Sequence, residues 1–272
     1  MTASRRLLLI GCGKMGGAML GGWLAGGLAP GDVVVVEPFE AAREALPEGV
    51  VAVAGPDAID TEFAPDVVVF AVKPQMMDET APHYARYVGP GAVFLSIAAG
   101  KTIGYFEDAL GPTAAIVRSM PNTPAAIGRG ISVACANAHV STPQRETCGE
   151  LLSAVGEVAW VEDEALLDAV TAVSGSGPAY VFLLAEAMAA AGETAGLPAE
   201  LAVQLARATV AGAGELMRSS GEDAGQLRIN VTSPGGTTQA ALEVLMAEAD
   251  GLPALMTRAV VAAAKRSSEL AG

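Results

Sequence analysis

Leu7-Leu-Leu-Ile-Gly-Cys-Gly-Lys-Met-Gly-Gly17 decides the fold. Four consecutive apolar residues read as a strand covered on both faces. Gly11, Gly13 and Gly16 then form G-x-G-x-x-G, followed by a glycine-rich helical stretch over 16–25. In that context Gly11 permits the tight turn. Gly13 lets the backbone approach a pyrophosphate, and Gly16 lets helix and strand pack closely. The loop 11–16, with Cys12, Lys14 and Met15 between the glycines, is therefore the expected cofactor cradle. A merely structural turn is the bland alternative.

Outward from this unit the first half alternates β-branched runs with helical stretches. Strands are expected at 33–36, 50–53, 67–72, 93–97 and 114–118, with helices at 41–46 and 76–87. Two further strands, 131–136 and 157–161, belong at the sheet's far edge. Strands alternating with helices predict a Rossmann-like doubly wound sheet, an α/β fold. Near Glu162 the pattern changes. Residues 164–173, 178–195, 198–219, 238–249 and 252–270 carry helical periodicity and good helix formers. The expected division is 1–161 for dinucleotide binding and 162–272 for an all-helical substrate-binding and dimerisation domain. The helices are apolar and alanine-rich enough that part of their surface should pack on a second copy.

Bulk properties narrow the partners. Of 272 residues, 51% are hydrophobic and 4% aromatic, and the net charge is −14. An acidic chain repels phosphate backbones, so nucleic acid is not expected. Three widely spaced cysteines and no C-x-x-C pair fit a reducing compartment, the cytoplasm, better than a disulfide framework. His83 and His139 have no neighbours at ligand spacing, so no metal site is indicated. Arg5-Arg6, the run 7–10 and Cys12 resemble a lipoprotein-type start. That run is short for a signal and Lys14 interrupts the apolar character beyond it, so a buried strand accounts for it better. No membrane span is expected, because 181–188 is broken by Glu186 and preceded by Gly177-Pro178.

Several loops should meet at the carboxyl edge of the sheet, where open α/β sheets bind ligands. Glu37 ends the second strand, where an acid accepts hydrogen bonds from the adenosine ribose. It favours NADH over NADPH, while Arg43, one turn on, is placed to reach a 2′-phosphate. Ala71-Val-Lys-Pro74 closes strand four; Lys73 suits a phosphate or ribose, or is only a loop charge. Asn122 and Thr123 have groups to hydrogen-bond a nicotinamide amide or the substrate. Ser174-Gly-Ser-Gly-Pro-Ala-Tyr180 interrupts a helical pattern, either as a kink bringing Ser174 or Ser176 to the cleft or as a plain junction. Val231-Thr-Ser-Pro-Gly-Gly-Thr-Thr238 precedes an apolar-periodic run and looks like a helix N-terminus whose free amides hold an anion. A dinucleotide at one cradle and a small carboxylate at the other is the pair these stretches suggest.

Together, 11–17, 71–75, 120–125, 174–180 and 231–238 closely resemble the pyrroline-5-carboxylate reductase family, in order and over nearly the whole chain. The resemblance implies reduction of L-1-pyrroline-5-carboxylate to L-proline with NADPH or NADH, the last step of proline biosynthesis. It implies a C-terminal helical domain interlocked with a partner subunit as a homodimer, and a decamer of dimers. It also implies that backbone N–H groups of Ser233, Gly235, Gly236 and Thr237 hold the substrate carboxylate, Pro234 having none to give. The Thr238 hydroxyl would sit by the substrate nitrogen as the catalytic group. Many members carry Asn-Arg or Ser-Arg after strand two, where this chain has Glu37-Pro38. The rivals are a related imine reductase, a β-hydroxyacid-type dehydrogenase and a non-catalytic dinucleotide sensor. The dehydrogenases typically use an interdomain lysine, and no lysine lies between Lys101 and Lys265. A sensor would have no need of 233–238.

Overall fold

A computed structural model of the chain describes residues 5–89 and 91–271. Residues 1–4 and 272, at the ends of the two expected domains, lie outside the described residues. The first part runs Leu7–Ile10 (β1), Lys14–Ala25 (α1), Val33–Val36 (β2), Glu40–Glu44 (α2), Val51–Val53 (β3) and Val67–Phe70 (β4). Then come Met77–Thr80 (α3), Val93–Ser96 (β5), Ile103–Leu110 (α4), Ile116–Met120 (β6), Gly130–Ala136 (β7), Thr142–Ser153 (α5) and Gly156–Trp160 (β8). The helical part comprises Leu166–Val170 (α6), Gly177–Thr194 (α7), Ala199–Ser220 (α8), Ala224–Asn230 (α9), Thr237–Leu245 (α10) and Leu252–Ala271 (α11).

The eight strands lie in the order β3-β2-β1-β4-β5-β6-β7-β8. The first six are parallel; β7 runs antiparallel to β6, and β8 parallel to β7. The pleat splits each apolar run between two cores. Leu7 and Leu9 pack with Met19, Leu20 and Trp23 of α1 and Leu151 and Leu152 of α5. Leu8 and Ile10 pack on the other face with Phe70, Met77, Tyr84 and Phe106. Helices therefore cover both faces, and burying each such side chain is worth about 1.5–3 kcal/mol. The Trp23 indole, fully buried, donates to the Leu151 carbonyl at 2.9 Å, so its polar edge is satisfied within the core.

The expected and observed elements differ in instructive places. The helix expected over 76–87 is a short 3-10 turn, the single-turn α3 and a further 3-10 stretch, Ala81–Tyr87. Pro82 has no N–H to donate into an α-ladder, and the stretch tightens around it. Strand four stops at Phe70 rather than at residue 72, because the chain turns to pack on the glycine loop. The sixth strand runs 116–120, two residues later than expected. Helices α4, α5 and α9 have no counterpart among the expected elements. Each has an N-cap acceptor, Thr102, Ser141 or Asp223, and α5 carries a full capping box with Gln144.

Ser174–Tyr180 does not break the helix. α6, a π-turn at Thr171–Gly175 and α7 form one continuous helix, Leu166–Thr194, of 29 residues. By length and composition alone it is apolar enough to cross a membrane, contrary to the expectation from 177–178 and 186. The helix runs on past Pro178 because the Ser174 carbonyl, which Pro178 has no N–H to meet, accepts from the Asn122 side-chain amide at 3.1 Å.

The chain forms two compact units, residues up to Gly175 together with 263–272, and Ser176–Ala262. The end of α11 thus belongs with the sheet, where Ser267 Oγ donates to Asp168 Oδ1 at 2.7 Å. The second unit is all-helical. α7 packs on α8 through small residues, Ala189, Ala202 and Ala206 being buried. Many of its large apolar side chains are exposed: Phe182 and Leu183 are each 63% accessible, and Val244 is 73%.

Candidate active site

The glycine loop is built by close approach. Gly11 adopts φ +84°, a left-handed conformation that side-chain-bearing residues rarely take. A Cβ there would lie 2.7 Å from Val72 Cγ1, and one at Gly16 would lie 2.5 Å from the Gly11 carbonyl oxygen and 3.2 Å from Ala71 Cβ. The structure therefore brings Gly11, Gly16, Ala71 and Val72 together, as the sequence implied. Gly13 is different: a Cβ there meets nothing within 4 Å. Gly13 is the N-cap of α1 without a side-chain cap, and the first partnered amide after it is Gly17, bonded to the Gly13 carbonyl at 2.8 Å. Among the described residues no acceptor meets the N–H groups of Lys14, Met15 and Gly16. Open space before free amides at the positive end of a 12-residue helix fits a pyrophosphate.

Glu37 stands at this loop, 7% exposed. Its Oε2 accepts the Cys12 N–H at 3.0 Å and its Oε1 the Phe39 N–H at 3.2 Å. Arg43 Nη1 donates to the carbonyls of Glu37 at 2.9 Å and Pro38 at 2.8 Å. Burial, and then the negative charge of Glu37, raises the Cys12 thiol above its ordinary range. Lys73 is exposed and ends the β4 turn, and Pro74 starts the 3-10 turn after it.

Asn122 is more committed than expected. Its Oδ1 accepts the Ile131 N–H at 2.9 Å, and its Nδ2 donates to the Ser174 carbonyl at 3.1 Å. Ser174 Oγ in turn donates to the Val170 carbonyl at 3.0 Å. A Cβ at Gly175 would lie 2.6 Å from Met120 Cε, so the π-turn lies directly against the end of β6. Sequence reading overlooked a second buried link. Arg118, 6% exposed on β6, pairs with Glu164 at 2.6 Å, and the same Glu164 Oε1 accepts the Ile103 N–H that opens α4 at 2.8 Å. An arginine inside the apolar run 114–120 was the available signal, since a buried guanidinium requires a partner.

In the second unit, Gly235 takes φ +70° and Gly236 is the N-cap of α10. Two of the four expected carboxylate amides are already used. Gly235 N–H donates to Gln239 Oε1 at 2.8 Å, and Gly236 N–H to the Ser233 carbonyl at 3.0 Å. Among the described residues no acceptor meets the N–H groups of Ser233, Thr237, Thr238 and Gln239. The Ser233 and Thr237 side chains are exposed, and those of Ser176 and Thr238 half-buried. Among the described residues no group of three or more His, Cys, Asp or Glu is placed to hold a metal ion.

Comparison with known proteins gives the family. Residues 164–270 match the family model described as pyrroline-5-carboxylate reductase dimerisation, and 6–100 match that of NADP oxidoreductase, coenzyme F420-dependent. The pyrroline-5-carboxylate reductase of Pseudomonas aeruginosa is 43% identical over 98% of this chain and 97% of its own. That of Pisum sativum is 37% identical over 99% and 97%. Among solved structures, the Coxiella burnetii enzyme superposes with a TM-score of 0.92 at 34% identity, covering 98% of this chain and 99% of that one. The Plasmodium falciparum enzyme with NADP bound gives 0.81 at 28% identity, covering 98% of each. The chain belongs to the pyrroline-5-carboxylate reductase family, homo-oligomeric oxidoreductases that reduce a cyclic C=N bond with NAD(P)H.

Proposed function

We propose that the chain reduces L-1-pyrroline-5-carboxylate to L-proline with its substrate carboxylate at the start of α10. The observation that carries this reading is the set of partnerless amides from Thr237 to Gln239, behind a Ser-Pro-Gly-Gly turn at the positive end of a helix. Gly235 and Gly236 shape that turn, and Ser233 and Thr237 add N–H groups. The dinucleotide is held by Gly11, Cys12, Gly13, Lys14, Met15 and Gly16, by Glu37, and by the 71–74 turn with Ala71, Val72, Lys73 and Pro74. When bound, the reduced nicotinamide supplies a hydride to the imine carbon. A cyclic imine protonates readily, and its iminium form is strongly electrophilic. The protein therefore needs little acid–base machinery beyond orientation and exclusion of water. The Thr238 hydroxyl attends the ring nitrogen as its charge disappears, and Ser174 and Ser176 are further substrate-binding hydroxyls on this reading.

On this reading residues 1–161 carry the dinucleotide, and 162–272 the substrate and the subunit contact. The exposed apolar side chains of α7, α8, α10 and α11 are covered by a second copy as a homodimer, and the dimers assemble further into the decameric form. A dimer, not a bilayer, hides the face of Leu166–Thr194, which also carries Asp168, Glu186 and Glu193. Phe182→Glu should then raise the monomer fraction in sedimentation velocity; an unchanged profile would place the interface elsewhere. Three free cysteines support a cytoplasmic setting. The deciding assay is pyrroline-5-carboxylate-dependent oxidation of NADH and NADPH, with proline as the chromatographed product. Dinucleotide binding without turnover would favour a sensor.

A further inference from the structure

We propose that Glu37 makes this chain prefer the unphosphorylated dinucleotide, NADH over NADPH, with Arg43 as a positioning residue rather than a phosphate ligand. The inference rests on the dinucleotide site proposed above. Three observations carry it. First, the Glu37 carboxylate is fixed against the cradle itself: Oε2 accepts the Cys12 N–H of the glycine loop at 3.0 Å. Oε1 accepts the Phe39 N–H at 3.2 Å. Each oxygen keeps lone-pair capacity for one more donor. Ribose hydroxyls at C2′ and C3′ are donors and match it. A 2′-phosphate presents only acceptors at neutral pH and adds like charge, so it finds neither a hydrogen bond nor a favourable field there.

Second, one nitrogen of the cation one turn downstream is already committed to the backbone. Arg43 Nη1 is divided between the carbonyls of Glu37 at 2.9 Å and Pro38 at 2.8 Å. Turning that nitrogen to a phosphate would strip two backbone acceptors and loosen the turn that aims Glu37. Third, Glu37 is 7% exposed and its own N–H bonds to the Val53 carbonyl at 3.0 Å, so its backbone is fixed beside β3 while its carboxylate is held by the two amides.

The test measures dissociation constants of NADH and NADPH by nicotinamide fluorescence, with 5′-AMP and 2′,5′-ADP as competitors, for the wild type, Glu37→Ser and Arg43→Ala. Wild-type protein should bind NADH, and 5′-AMP, at least about tenfold tighter than the phosphorylated counterparts, the loss of charge-assisted hydrogen bonds being of that size. Glu37→Ser should erase most of that ratio by weakening NADH and tightening NADPH. Arg43→Ala should lower the ratio without loosening NADPH. Equal or tighter wild-type binding of NADPH overturns the inference even if no variant folds, as does selective loss of NADPH on removing Arg43. Binding of neither dinucleotide overturns the cofactor reading with it, whereas binding of both alike overturns only the preference.

Discussion

The side-chain amide of Asn122 donates to the backbone carbonyl of Ser174 at 3.1 Å, 52 residues further along the chain. That carbonyl is the one an α-helix would pair with the N–H of residue 178, and residue 178 is proline. Asn122 thus supplies the donor that Pro178 lacks, and its other end accepts the Ile131 N–H at 2.9 Å. One side chain ties the turn after β6, the start of β7 and the π-turn into a single unit. π-turns of this kind recur at functional sites.

Asn122→Ala should cost about 1–3 kcal/mol, the penalty for stranding a buried polar group. The expected kinetic outcome is a lower kcat with an almost unchanged dinucleotide Kd. Asn122→Asp should keep the Ile131 hydrogen bond, break the Ser174 one, and show the same split. Differential scanning fluorimetry and nicotinamide titration together read both. A dinucleotide Kd that rises in step with falling turnover would instead make Asn122 a direct nicotinamide ligand.

Thr238→Ala should lower kcat by roughly tenfold or more in a folded enzyme, the size of one polar interaction removed from the transition state. Thr238→Ser, which keeps the hydroxyl, should recover most of the rate. Steady-state kinetics at saturating dinucleotide make the comparison, and an unimpaired Thr238→Ala removes the residue from the chemistry.

Gly13→Ala and Gly16→Ala should fail differently. At Gly16 a methyl would sit 2.5 Å from the Gly11 carbonyl oxygen, so the loop must move at a cost of about 1–3 kcal/mol, and melting temperature and cofactor binding fall together. At Gly13 the methyl meets no protein atom within 4 Å. Stability should hold while dinucleotide affinity drops, because the methyl occupies the approach of the pyrophosphate. Equal loss of stability in both variants would contradict an open cradle at Gly13.

Burial pushes the Cys148 thiol up from 9.0 to about 12. The folded state therefore favours the neutral thiol, and the associated stability is fully present below the unfolded pKa near 9. As pH rises from there toward 12 the unfolded chain ionises first and that stability is lost. The advantage of wild type over Cys148→Ala in urea midpoint should shrink between pH 8.5 and roughly 10.5. At pH 8 native Cys148 should resist thiol reagents that label it at once in urea. Fast labelling of the native protein would mean the α5 face opens locally.

The sequence alone makes legible whatever nearest neighbours determine. The run 7–10, the spacing of Gly11, Gly13 and Gly16, and the change of period near Glu162 were enough for the sheet, the glycine turn and the helical half. The capping box at Ser141 and Gln144 was equally local, and reading by apolar periodicity passed over it because α5 is mostly polar outside its buried face. Partners were not legible. Arg118 finds Glu164 46 residues away, Cys12 meets Glu37 across 25, and Asn122 reaches Ser174 across 52. No local pattern encodes such pairings, because they exist only once the sheet order places β1 beside β2, and β6 beside β7. So residue type and spacing by themselves set a strand, a glycine turn and a helix in the arrangement that suits a dinucleotide. Only tertiary structure decided that Asn122 serves the backbone, that Glu37 and Arg43 are already bound to the chain, and that 174–180 continues a helix. A buried polar group takes the partner that folding delivers, and that partner is set by topology rather than by distance along the sequence.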